Sequence, residues 1–96
     1  WPGTPSVATN GAAPSSHAES VAQDLRDVIR LLVDRPQDIA VEVVDEGDGF
    51  FLEVTAARSD AGKVIGREGR TIQALRSLLT ARARVDGERY DLDLLD

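Results

Sequence analysis

Residues 62–70, GKVIGREGR, gather the side chains of this chain best able to hold another molecule. Gly66 and Gly69 stand at G-x-x-G spacing, and Lys63, Arg67 and Arg70 lie within one turn of them. The chemistry that fits is non-covalent capture of an anionic backbone. The start of a helix offers unpaired N–H groups and the positive end of its dipole. Glycine on both sides removes the Cβ that would hold a phosphate chain at a distance. Nearby bases add charge attraction. Glu68 is expected to point away or to pair with a neighbouring arginine. Glycines at such places are also ordinary helix punctuation. The surroundings favour the stronger reading: Val64-Ile65 precede the loop, bases flank it, and the helix before it is short.

The charge distribution agrees. The whole chain of 96 residues carries a net charge of -6. Yet residues 58–84 hold seven bases against two acids, leaving four bases and fifteen acids elsewhere. One face is kept positive while the remainder repels polyanions.

Other chemistries lack their residues. There is no cysteine, which excludes disulfides and thiolate metal sites. The one histidine, His17, cannot make a metal site or a nucleophile–base pair alone. Asp91 and Asp93 share a strand face and read as solvated. Gly62, Gly66 and Gly69 do not form G-x-G-x-x-G, and Lys63 lacks the glycine spacing of a P-loop. The acidic turn at 46–49 lacks EF-hand spacing. No catalytic residue, metal or cofactor is expected. No apolar run reaches the roughly 18 residues of a membrane span, and no secretory signal is visible. The chain begins at Trp1 rather than Met, as a fragment or processed form would.

The elements that must position the loop follow from periodicity. Residues 1–18 are proline-rich, small and uncharged, and read as a disordered tail ahead of one domain over 19–96. Ser16-x-x-Glu19 and Ser20-x-x-Gln23 both fit a capping box. Val21, Leu25, Val28, Ile29 and Leu32 then form one helical stripe that Pro36 ends near Asp34. Ile39, Val41 and Val43 alternate, as do Phe50, Leu52 and Val54, and the turn between them makes a hairpin. Ser59 is a plausible cap for a short helix over 60–65. A second helix spans 70–84, with Ile72, Leu75 and Leu79 on one face. Tyr90, Leu92 and Leu94 give a last strand. The order is αββααβ, an α+β fold in which three helices cover one face of a three-stranded sheet.

With Val64-Ile65-Gly66-Arg67-Glu68-Gly69 set in this frame, the sequence resembles a KH domain, whose signature is VIGxxG. The elements before the motif resemble the type II arrangement. The run from Asp34-Arg35-Pro36-Gln37-Asp38 through the motif to the last strand is similar to the small bacterial KhpA family. The resemblance covers about residues 19–96. It implies a non-catalytic, cytoplasmic, bacterial protein that binds single-stranded RNA as a post-transcriptional regulator or RNA chaperone. It implies a homodimer, or a heterodimer with a larger KH-containing protein. Gly66, Arg67, Glu68 and Gly69 would be the clamp, which in this family holds about four nucleotides. Lys63 and Arg70 would flank it, and Val64, Ile65 and Ile72 would line an apolar groove for bases. With no aromatic in the motif, aliphatic packing rather than stacking is expected, and binding by one domain should be weak and unspecific. The competing readings are a dimerisation or interaction module with little RNA affinity, and a helix-hairpin-helix DNA binder, whose glycines usually sit closer together.

Overall fold

A computed structural model of the chain describes residues 13–95, with side chains from His17 onward. The first helix, α1, runs Ala13–Arg30. It begins before both serines expected to cap it, so Ser16 and Ser20 lie inside it. Alanine favours helix and Pro14 is tolerated in a first turn, so nothing in the sequence forces a later start. The tail expected over 1–18 therefore gives its last six residues to α1, and residues 1–12 lie outside the described chain. The buried stripe of α1 is Ala18, Val21, Ala22, Leu25 and Ile29.

The helix ends at Arg30 rather than near Asp34. Leu31 and Leu32 close it with tight bonds to the Val28 and Ile29 carbonyls, at 3.1 and 2.9 Å. The N–H groups of Asp34 and Arg35 then turn to a partner far along the chain, the carboxylate of Asp60.

Strands β1 (Ala40–Asp45) and β2 (Phe50–Thr55) form the expected hairpin, with Val43 opposite Leu52. Strand β3 (Tyr90–Leu95) lies parallel to β2, with Leu52 opposite Leu92. The order β1-β2-β3 leaves β3 with a free edge. A parallel neighbour requires a crossover. Here it consists of α2 (Ala61–Ile65), the glycine loop and α3 (Arg70–Asp86). The topology thus places the loop at the tip of the crossover.

Inward side chains of the sheet, Val41, Phe50, Leu52, Val54, Tyr90 and Leu92, meet the stripe of α1 together with Val64, Ile72, Leu75 and Leu79 in one core. The opposite sheet face carries a row of three carboxylates, since Glu42 pairs with Glu53 and Glu53 with Asp93. Arg89 bridges Glu46 and Asp48 of the hairpin turn and also Asp91, pinning the turn to β3. At the end of α3, the Tyr90 hydroxyl donates to Asp86 at 2.6 Å, and Arg82 Nε donates to both carboxylate oxygens at 3.0 and 2.9 Å. These donors hold the Asp86 carboxyl below its ordinary range, the Tyr90 hydroxyl first among them.

Candidate nucleic-acid interface

The glycine loop owes its shape to two left-handed glycines and one strained residue. Gly66 has φ 80° and ψ 171°, a region open in practice to glycine alone. A Cβ there would also stand 2.6 Å from Thr71 Cβ and 2.8 Å from Thr71 N. Thr71 thus occupies the space that Gly66 leaves empty, and the two fix how α2 meets α3. Gly69 has φ 74° and ψ 14°, with nothing within 4 Å of the place a Cβ would take. Its outer side is bare, directly before a helix start that no side chain caps. Between them Glu68 adopts φ 57° and ψ 25°, costing about 1–2 kcal/mol for a residue with a Cβ. That turn aims the Arg67 and Glu68 side chains outward, and both are exposed.

The bases expected at the clamp differ in availability. Arg67 has no ion-pair partner among the described residues. Arg70 lies 3.2 Å from Glu68, but the two are 79% and 70% exposed, so the pair is worth little and exchanges readily. This is the pairing expected for Glu68. Lys63 turns the other way, with Nζ 3.2 Å from Asp34 and 3.8 Å from Asp60. It braces the base of α2 and must leave those carboxylates to reach a ligand.

The apolar positions also divide. Val64 is 1% exposed and Ile72 8%, so both belong to the core beneath the loop. Ile65 is 40% exposed and is the one of the three with surface to offer a base.

Asp60 was not singled out by its sequence context. It is fully buried, and its two oxygens accept the N–H groups of Asp34 and Arg35 at 3.1 and 2.9 Å. It stands at the N-cap position without capping: α2 begins after Asp60 with no side-chain cap, and Ser59, the expected cap, is exposed. An acid inside the most basic stretch of the chain was the available signal. The Asp91 and Asp93 pair is disposed of likewise. Asp91 is bound by Arg89, and Asp93 accepts the Leu94 N–H and faces Arg76 at 3.9 Å. Among the described residues no cluster of His, Cys, Asp or Glu is arranged to hold a metal, and no helix is long and apolar enough to cross a membrane.

The chain is similar to known proteins. The family model "KhpA/KhpB, KH domain" matches residues 22–94. An RNA-binding protein KhpA of Leifsonia xyli is 43% identical over 76 residues, 79% of this chain and 97% of that protein. One from Halalkalibacterium halodurans is 43% identical over 65 residues, 68% of this chain and 86% of that protein. One from Chlamydia muridarum is 38% identical over 69 residues, covering 72% and 88%. The match spans α1 from its second half, the sheet and the whole crossover, and the chain belongs to the KhpA/KhpB family of KH domains.

Proposed function

We propose that the chain binds single-stranded RNA by seating the sugar-phosphate backbone on the Gly66–Gly69 loop. The observation that carries this reading is the bare outer side of Gly69, at the start of a seventeen-residue helix that no side chain caps, with Arg67 beside it and without an ion-pair partner among the described residues. Phosphate oxygens approach the bare side of Gly69, whose N–H already donates to the Gly66 carbonyl as that of Arg70 does to Arg67, so Arg67 and Arg70 supply the attraction as charge, and Ile65 offers an apolar rest for a base. The relatives' printed names, RNA-binding protein KhpA, support it. The role is that of a cytoplasmic regulator or chaperone of transcripts, exerted by binding rather than by chemistry.

A single loop holds few nucleotides, so a second KH unit would raise affinity through effective concentration. We place a second copy of this chain at the apolar groove between α1 and α3. Val28 and Leu78 there are 38% and 61% exposed. On its rim, Arg82 uses Nε for Asp86, leaving its outer amino groups unpartnered among the described residues. Asp24 on the facing rim is likewise unpaired there, so two copies related by a twofold axis could match Asp24 to Arg82. A larger KH-containing partner is the alternative occupant.

The test is binding of a labelled single-stranded RNA pool to wild type and to the double variant Arg67→Asp, Glu68→Asp, at two salt concentrations. Aspartate tolerates left-handed backbone, so the variant should fold. The expected result is salt-sensitive binding by wild type and loss in the folded variant. Equal binding by both would move the site elsewhere. No binding by either would favour an interaction module.

A further inference from the structure

The outer face of α3 has the composition of a ligand surface, and the loop does not use it. Between Glu68 and Asp86 the chain holds no carboxylate, in a protein with seventeen acids. Arg70, Gln73, Ser77, Ala81 and Arg84 fall at i, i+3, i+7, i+11 and i+14, one stripe along the helix. All five are exposed, and Thr80 lies beside them. Gln73, Arg76, Ser77, Thr80, Ala81 and Arg84 line a shallow depression of about 400 Å³ with no acid in its wall. Its far side is closed by Arg76, whose guanidinium donates to the Leu92 carbonyl on the free edge of β3 at 3.2 and 3.3 Å. The side chains of Gln73, Ser77 and Arg84 have no hydrogen-bond or ion-pair partner among the described residues.

Apolar and polar faces are cleanly parted on this helix. Ile72, Leu75 and Leu79 face the core, while exposed Leu78 and Val85 lie on the shoulder toward α1. The remaining third is amide, hydroxyl and guanidinium, with the small side chains of Ala74 and Ala81 between them. Such a face offers donors to phosphate and ribose oxygens, and the one carboxylate at its border, Asp93, lies 3.9 Å from Arg76. It starts at Arg70, where the loop ends, and rises about 21 Å to Arg84.

We infer that this stripe is a second RNA-contacting surface: the strand leaves the Gly66–Gly69 loop and continues along the outer face of α3 toward Arg84, so that the site exceeds the loop's few nucleotides. The inference rests on the proposed RNA reading and extends it. The contacts are to backbone and sugar, so they lengthen the site without adding sequence preference.

The test compares a tetranucleotide with a dodecanucleotide of single-stranded RNA, on wild type and on the double variant Gln73→Glu, Arg84→Glu. Both positions are exposed and glutamate suits a helix, so the fold should survive, as circular dichroism would verify. Wild type should bind the dodecamer more tightly. The variant should lose about tenfold on the dodecamer, with a shallower salt dependence, and little on the tetramer. Ala81→Lys should tighten the dodecamer alone. A variant that keeps wild-type affinity for the dodecamer overturns the inference and leaves the loop reading intact; the stripe would then suit an acidic protein. Equal affinity of wild type for both lengths also overturns it. Failure of wild type to bind either removes the RNA reading and this inference with it.

Discussion

Two glycines three residues apart have different duties. Gly66 is structural: its backbone lies where only glycine is comfortable and Thr71 fills the space beside it. Gly66→Ala should cost about 1–3 kcal/mol, lowering the melting temperature by several degrees. Gly69 is structurally more forgiving, since a methyl group there meets only solvent. Gly69→Ala should cost about 1 kcal/mol of left-handed strain and stay folded. Its larger effect should fall on RNA, because the methyl occupies the side a phosphate would approach. Thermal melts and RNA titrations of both variants separate the two duties. Equal RNA loss per degree of melting-point loss in both would show that the glycines act only through the fold. The spacing was legible in the sequence, but the division of labour was not. It depends on Thr71 folding back over Gly66, a contact that residue spacing does not express.

Among elements, those with strong periodicity were legible and those set by distant partners were not. The three strands fall within two residues of their expected bounds, and α3 within two. The end of α1 and the cap of α2 differ from expectation for one shared reason. Asp60 reaches across 26 positions to take the N–H groups that would otherwise follow α1, and so gives up capping α2. Local signals such as Pro36 and Ser59 cannot report that exchange. Asp60→Ala should leave two inward-facing N–H groups without their acceptor and free Lys63 from one carboxylate, costing about 1–3 kcal/mol. Denaturant titration checks this, with Ser59→Ala as the control expected to change stability by less than about 0.5 kcal/mol. A larger effect at Ser59 would restore it as the cap. Val64 and Ile72 teach a related lesson. Beside the glycine loop in sequence, they support it from below, because a five-residue helix has one side to bury and Val64 is on it.

For the whole molecule, charge decides more than hydrophobic pattern does. The Arg82–Asp86–Tyr90 group ties the end of α3 to the start of β3. Its carboxyl titrates lower in the folded chain than in the unfolded chain. The stabilisation is therefore complete above the unfolded value of about 4 and is lost as pH falls through the folded value. Between pH 6 and 3 the wild type should lose more melting temperature than Asp86→Asn. Equal losses would show that the carboxylate contributes nothing. Oligomeric state is checked by light scattering after gel filtration. Leu78→Glu should shift the chain from dimer to monomer, and Asp24→Arg should weaken the dimer. A monomeric wild type would refute the proposed pairing, and so would a dimer indifferent to Leu78→Glu. The split of charge between residues 58–84 and the remainder was visible in the sequence; which surfaces it would cover was not, since that depends on how the crossover packs on the sheet.

Glu42 and Glu53, side by side on the uncovered sheet, sit away from the helices that carry the bases, while Asp93 beside them reaches round the β3 edge to within 3.9 Å of Arg76. Side-by-side like charges cost some stability. They also add to the separation of charge between the acidic remainder of the chain and the basic stretch 58–84. In the field of a polyanion such a body feels a torque before it feels a net pull, turning its arginines forward as it approaches. A protein of charge -6 can then meet RNA in the productive orientation on most encounters rather than few. Salt should slow that capture more than it speeds release.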